Sequence, residues 1–124
     1  MIINTGGDSR KNRELQLLWT NPDAYAEKLN AMASQTLDLD ATGYETLYIV
    51  TVLSTDVKFI KTDVVMPGIA PQQTIGYNNG TTTYVRTVTI TDAKLNIGSA
   101  YKMANASPTA VDNKYVIPMY IYGY

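Results

Sequence analysis

Cysteine and histidine are both absent from this 124-residue chain, and the two absences exclude more chemistry than any residue present suggests. Without cysteine there is no disulfide, no thiol nucleophile and no thiolate metal ligand. Without histidine the usual general base near neutral pH and the commonest metal ligand are lost together. Charge of one sign is also lacking: Lys+Arg 10 stand against Asp+Glu 11, a formal net charge of −1. No long-range field draws phosphate backbones or acidic membrane surfaces, so no nucleic-acid partner is expected. The longest basic stretch, Arg10-Lys11-Asn12-Arg13, lies in a polar segment and reads as a solvated linker. No apolar run approaches membrane-spanning length, and Met1 to Arg13 lacks the apolar core of a signal peptide. A soluble chain that is not classically secreted and does not insert into membranes is the expectation.

What is present is strand pattern. The length suits one domain: residues 1–13, polar with Gly6-Gly7, read as a flexible lead, and 14–124 as a single β-sandwich domain. Leu15 to Trp19 forms a first apolar run that stops at Thr20-Asn21-Pro22. Asn21 as cap, Pro22 at the first helical position and Tyr25, Leu29 and Met32 at helical spacing predict a short helix near 22–31. Thr36 to Asp40 alternates at period two, and Tyr44 to Ser54 is apolar on both parities, as a central strand is. Val57 to Met66 carries Lys58 and Lys61 and reads as peripheral; Ile69 to Tyr77 reads as at most a short strand.

Asn78-Asn79-Gly80 predicts a hairpin into Thr82 to Thr91, because Asn and Gly accept positive φ. Tyr84, Val88 and Ile90 face inward on that strand, with Arg86 the exception to the apolar pattern. Asp92-Ala93 then reverses the chain into Lys94 to Ile97, followed by an extended piece at Tyr101 to Met103 and a polar loop at 104–113. The closing segment 114–122 is apolar on both faces, with Tyr115, Ile117, Met119 and Ile121 on one and Val116, Tyr120 and Tyr122 on the other. About seven to eight strands separated by turns predict an all-β fold, a β-sandwich or jelly roll, with one short helix.

The residues that could carry chemistry have simpler structural uses. Asp38-Leu39-Asp40-Ala41-Thr42 matches a D-x-D-x-T phosphotransferase pattern, but that chemistry needs the carboxyl end of a buried parallel strand, and strands here do not alternate with long helices. Asp8, Asp38, Asp40, Asp56, Asp63, Asp92 and Asp112 offer hard oxygen ligands without EF-hand or repeat spacing, so they read as turn formers and no metal site is expected. Glu14, Glu27 and Glu45 are the only glutamates, and no glycosidase pair is visible among them. Asn79-Gly80-Thr81 and Asn105-Ala106-Ser107 match the glycosylation triplet, which decides nothing without a secretory route. No catalytic residue and no cofactor are assigned, and the chain is expected not to be an enzyme.

Tyrosine is in excess: ten of the aromatics, against one Trp and one Phe. A flat apolar ring with a polar tip suits sugar faces, protein surfaces and half-buried sheet positions. Tyr77, Tyr101 and Tyr124 are the tyrosines expected to be exposed, and with Asn105 they are the candidate ligand-binding residues.

Leu18-Trp19-Thr20-Asn21-Pro22, Ala33-Ser34-Gln35-Thr36-Leu37-Asp38-Leu39 and Gly43-Tyr44-Glu45 before an apolar strand, in that order, resemble a domain in tail proteins of phages and prophages of Gram-positive bacteria. Tyr84-Val85-Arg86-Thr87-Val88-Thr89 and the ending Tyr115-Val116-Ile117-Pro118-Met119-Tyr120-Ile121-Tyr122-Gly123 fit the same pattern. The resemblance spans about residues 15–124 and departs at the insert 22–31. It implies a C-terminal β-sandwich module of a tail fibre or baseplate, a virion protein made in the bacterial host cytoplasm. Such modules are often trimeric and meet a host cell-surface glycan and other tail proteins. On that reading Val116, Tyr120 and Tyr122 are candidate subunit contacts in a homo-oligomer, a trimer. A structural tail or decoration protein without ligand is the alternative, ahead of a carboxylate-only hydrolase or a carbohydrate-binding module.

Overall fold

The structure, a computed structural model, describes residues 14–104 and 107–124. The expected lead at 1–13, Asp8 and Asn105 lie outside the described residues. Those described form nine strands and no helix: β1 (Gln16–Thr20), β2 (Gln35–Leu37), β3 (Leu47–Ser54), β4 (Ile60–Val65), β5 (Gln72–Asn78), β6 (Thr83–Thr91), β7 (Lys94–Ala104), β8 (Ser107–Ala110) and β9 (Tyr115–Gly123). They pair antiparallel in two sheets, β1-β9-β3-β4 and β2-β7-β6-β5. Strand β8 joins the second sheet on β7, pairing residues 101–104, while β2 pairs residues 95–97. The fold is the expected β-sandwich.

Strand periodicity builds its core. Leu47 and Ile49 of β3 and Ile117, Met119 and Ile121 of β9 are buried against Ile75 of β5, Val88 of β6 and Leu95 and Ile97 of β7. Each such side chain contributes about 1.5–3 kcal/mol on leaving water. The closing strand is two-sided in a different way from the sequence expectation. Val116, assigned above to a subunit contact, is fully buried in the chain's own core with φ 52°, so it has no side-chain surface left for a partner. The left-handed backbone at a β-branched residue turns its side chain inward against the alternation of the strand.

The predicted helix at 22–31 does not form. Ala24 N–H donates to the Asn21 carbonyl and Ala26 N–H to the Asp23 carbonyl, two successive turns that do not propagate. Asn21 does cap, its Oδ1 accepting from Asp23 N–H at 2.8 Å, but its amide also donates to the Pro118 carbonyl. Asp23 then accepts from the Asn30 backbone and side chain, closing the segment as a loop. Leu29 and Met32 are buried as their spacing implied, in a non-helical chain, while Tyr25 is 87% exposed.

Three strand expectations are extended by the structure. The weak segment at 69–77 is the seven-residue β5, the pieces at 94–97 and 101–103 are the single strand β7, and the polar loop 104–113 contains β8. Both predicted hairpins form. Asp92 and Ala93 take φ 50° and 61°, the geometry of a two-residue turn that follows strand twist. Strand β5 runs close enough to β6 that a Cβ on Gly76 would lie 2.2 Å from the Tyr84 carbonyl oxygen, which restricts that position to glycine.

Side chains close one side of the sandwich. Lys61 Nζ of β4 donates to the Gly76 carbonyl of β5, and Asp63 accepts from Gly76 N–H, the two being paired at 3.1 Å. In the other direction Gln73 of β5 accepts from Met66 N–H and donates to the Met66 carbonyl. Edge backbone that would otherwise recruit another strand is thereby occupied.

Arg86 is the largest fully buried side chain. Its Nε donates to the Tyr115 carbonyl at 2.9 Å, Nη1 to Met32 at 2.7 Å and Gly98 at 3.1 Å, and Nη2 to Asn113 at 2.9 Å. Among the described residues four carbonyls and no carboxylate surround it. Burial lowers its pKa to about 10, so it remains charged at neutral pH. It ties β6 to the bulge of β7, to the chain ahead of β2 and to the start of β9, beside the strained Val116.

Candidate functional site

The four residues expected to bind ligand do not converge. Tyr77 is buried, contrary to expectation: its hydroxyl shares its one proton between the Thr51 carbonyl and, at 2.7 Å, the Phe59 carbonyl, and accepts from Thr51 Oγ1 at 3.3 Å. Burial raises its pKa, with the charge of Asp63 adding to the effect and hydrogen bonds opposing it. Its role is to hold β5 of one sheet to β3 of the other. Tyr101 and Tyr124 are 39% and 40% exposed and line different concavities. Asn105 is outside the described residues.

One apolar surface is the outer face of the first sheet. Alternation on β3 and β9 turns Tyr48, Val50 and Tyr122 away from the core, with Tyr120 half-buried at its margin, and the ladder aligns them with residues of the edge strands. Leu17, Tyr122, Tyr48 and Val64 form one cross-strand row, and Thr20, Tyr120, Val50 and Thr62 the next. Leu15, Tyr48, Val50, Thr62, Tyr122 and Tyr124 line a shallow concavity of about 500 Å³ without a charged side chain among them. Tyr25 reaches in from the 22–31 loop, its ring 6.2 Å from that of Tyr120, which is in turn 6.4 Å from Tyr122. The hydrogen bond with Tyr25 raises the Tyr120 pKa. Tyr120 and Tyr122, the candidate subunit contacts, are both half-buried on this face.

The second concavity, about 420 Å³, lies on the outer face of the second sheet and is lined by Thr74, Val85, Thr87, Tyr101, Met103 and Pro108. The register that sets Tyr101 opposite Val85 on one side and Ala110 of β8 on the other puts its ring on that face. An aromatic ring flanked by threonine hydroxyls and apolar carbons offers stacking and hydrogen bonds together.

Acid and base side chains meet in a further concavity of about 700 Å³, lined by Glu27, Lys28, Thr55, Asp56 and Lys58, where Lys58 Nζ donates to the Ala26 and Glu27 carbonyls. Asp40 of the D-x-D-x-T segment accepts from Thr42 N–H at 2.9 Å, a turn that follows the short edge strand β2. Hydrogen bonds from the Thr42 side chain and backbone lower its pKa. Asp63 is taken up by Lys61 and Gly76. Among the described residues no three of His, Cys, Asp and Glu come close enough to hold a metal ion. Comparison with protein-family models, with curated proteins and with solved structures finds no match to this chain.

Sequence reading missed the outer face as a unit. Leu17, Tyr48 and Val64 come from three separate strands and Leu15 from the residue before β1, and only the registers of β1, β9, β3 and β4 assemble them. The outward parity of Tyr48, Val50, Tyr120 and Tyr122 was the available indication.

Proposed function

We propose that the chain is a non-enzymatic binding module of a phage tail, as the likeness of its segments implies, and that it meets a saccharide of the host surface through Tyr101. The observation that supports this reading is the open concavity in which the Tyr101 ring lies beside Thr74 and Thr87. A sugar ring stacks its C–H face on an aromatic ring and hydrogen-bonds at its rim, and such contacts are worth about 1 kcal/mol each. Single-site affinity is therefore weak, and several copies on one tail would gain by multivalency. The test is binding of the intact protein to an array of cell-wall saccharides, with Tyr101→Ala beside the parent. Binding weakened about tenfold at unchanged melting temperature is expected; no binding by the parent would refute the receptor role.

The second reading is a structural tail protein whose surfaces meet only other virion proteins. The charge-free outer face of the first sheet favours it, since apolar surface of this kind is suited to protein contact. Copurification with a tail protein, without saccharide binding, is its expected result.

A further inference from the structure

We infer that the outer face of the first sheet is a two-fold interface between two copies of this chain. Apolar groups span this sheet from edge to edge: Leu17, Tyr122, Tyr48 and Val64 sit opposite one another across all four strands. Leu15, Leu17 and Val64 are more than half exposed, and together with the five tyrosines of this face they present on the order of 600 Å² to solvent. Two copies packed face to face would remove about 1,200 Å² in all, above the roughly 1,000 Å² that separates specific interfaces from chance contacts.

A second copy fits better than a partner of different surface because of the charge pattern. A two-fold axis lays every group of the patch against the same patch, so a patch carrying charges of one sign would repel itself. The concavity here is lined by Leu, Val, Thr and Tyr alone, which is self-complementary. Sheets pack face to face at about 10 Å, and interdigitating tyrosine and leucine rows suit that spacing.

Association by strand edges is disfavoured at every other place. The β4–β5 side is closed by Lys61, Asp63 and Gln73. Strand β2 has three residues and β8 four with Pro108 among them. Strand β1 is broken by a bulge between Leu17 and Trp19, which spoils a regular edge ladder. Facial packing avoids all of these obstacles. It leaves Tyr101 on the opposite sheet, so saccharide binding and dimerisation stand or fall separately.

The experiment is sedimentation velocity of the intact protein from about 1 µM to about 200 µM. The expected result is a species of twice the chain mass, dominant above about 10 µM. Leu17→Glu and Val64→Glu alter exposed side chains at opposite edges of the face. Each should shift dissociation by at least tenfold toward monomer with an unchanged circular dichroism spectrum, whereas Tyr101→Ala should leave the mass unchanged. A parent that is monomeric throughout, a species of three times the chain mass, or a dimer lost in Leu17→Glu but kept in Val64→Glu would each overturn the proposal, the last by pointing to pairing along β1.

Discussion

Replacing Arg86 by methionine removes four hydrogen bonds at once while keeping much of the buried aliphatic volume. The carbonyls of Met32, Gly98, Asn113 and Tyr115 lose their guanidinium donors, and of these Asn113 retains a second donor, Met32 N–H at 2.8 Å. Three carbonyls losing a charged donor, at about 1–3 kcal/mol each, give a loss of roughly 3–9 kcal/mol. Relief of the charge's own burial cost offsets about 1–4 kcal/mol of this, so a net destabilisation of about 2–5 kcal/mol is expected. That is a large fraction of the 5–15 kcal/mol typical of a domain. Arg86→Lys should not rescue it, because a point ammonium cannot reach four carbonyls spread over three segments. Urea unfolding followed by the fluorescence of Trp19, the one tryptophan and half-buried against the core, measures the effect. A midpoint within about 1 kcal/mol of the parent at unchanged slope would refute the argument, since it would mean that burying the charge cancels what its hydrogen bonds contribute.

Tyr77→Phe removes the inter-sheet donor to Thr51 and Phe59 and should cost about 1–3 kcal/mol by the same unfolding measurement. The same hydroxyl sets an alkaline limit: burial raises its folded pKa above the ordinary value near 10. The unfolded chain therefore releases this proton first, and the contribution is full below about pH 10 and lost as pH rises through the folded value. Melts from about pH 8 to about pH 11 should fall more steeply for the parent than for Tyr77→Phe, and equal slopes would count against it. Ala93→Gly relieves a left-handed alanine at φ 61° and should stabilise by about 1 kcal/mol, seen as a rise of about 3–5 °C in Tm; because the bond from Ala41 N–H to the Ala93 carbonyl is main-chain and survives the change, a fall would refute the strain argument.

The helix expected at 22–31 shows where local pattern misleads. Asn21, Pro22 and Asp23 carry genuine helix-start chemistry, and Leu29 and Met32 are buried as their spacing required. What the spacing could not register is that the Asn21 amide is committed to Pro118, far along the chain, and that Asp23 folds back on Asn30. Tyr77 misleads in the opposite sense. It follows an apparently weak strand and looked exposed, yet β5 is a full strand of the second sheet and its tyrosine reaches across to the first.

Sequence alone determined the class of fold, because burial on a sheet imposes a period of two and Asn-Gly and Asp-Ala mark the turns where strands reverse. It also determined what chemistry is unavailable, through the missing cysteine and histidine. It showed Arg86 as a break in the apolar face of β6 without a reason for it. Tertiary structure decided the rest: that the break is a buried guanidinium serving carbonyls from distant segments, that Val116 turns inward, and that Leu17, Tyr122, Tyr48 and Val64 form one continuous row. Those outcomes depend on which strands are neighbours and in what register. Neither is encoded in any single segment, since pairing is set by the packing of two sheets against each other.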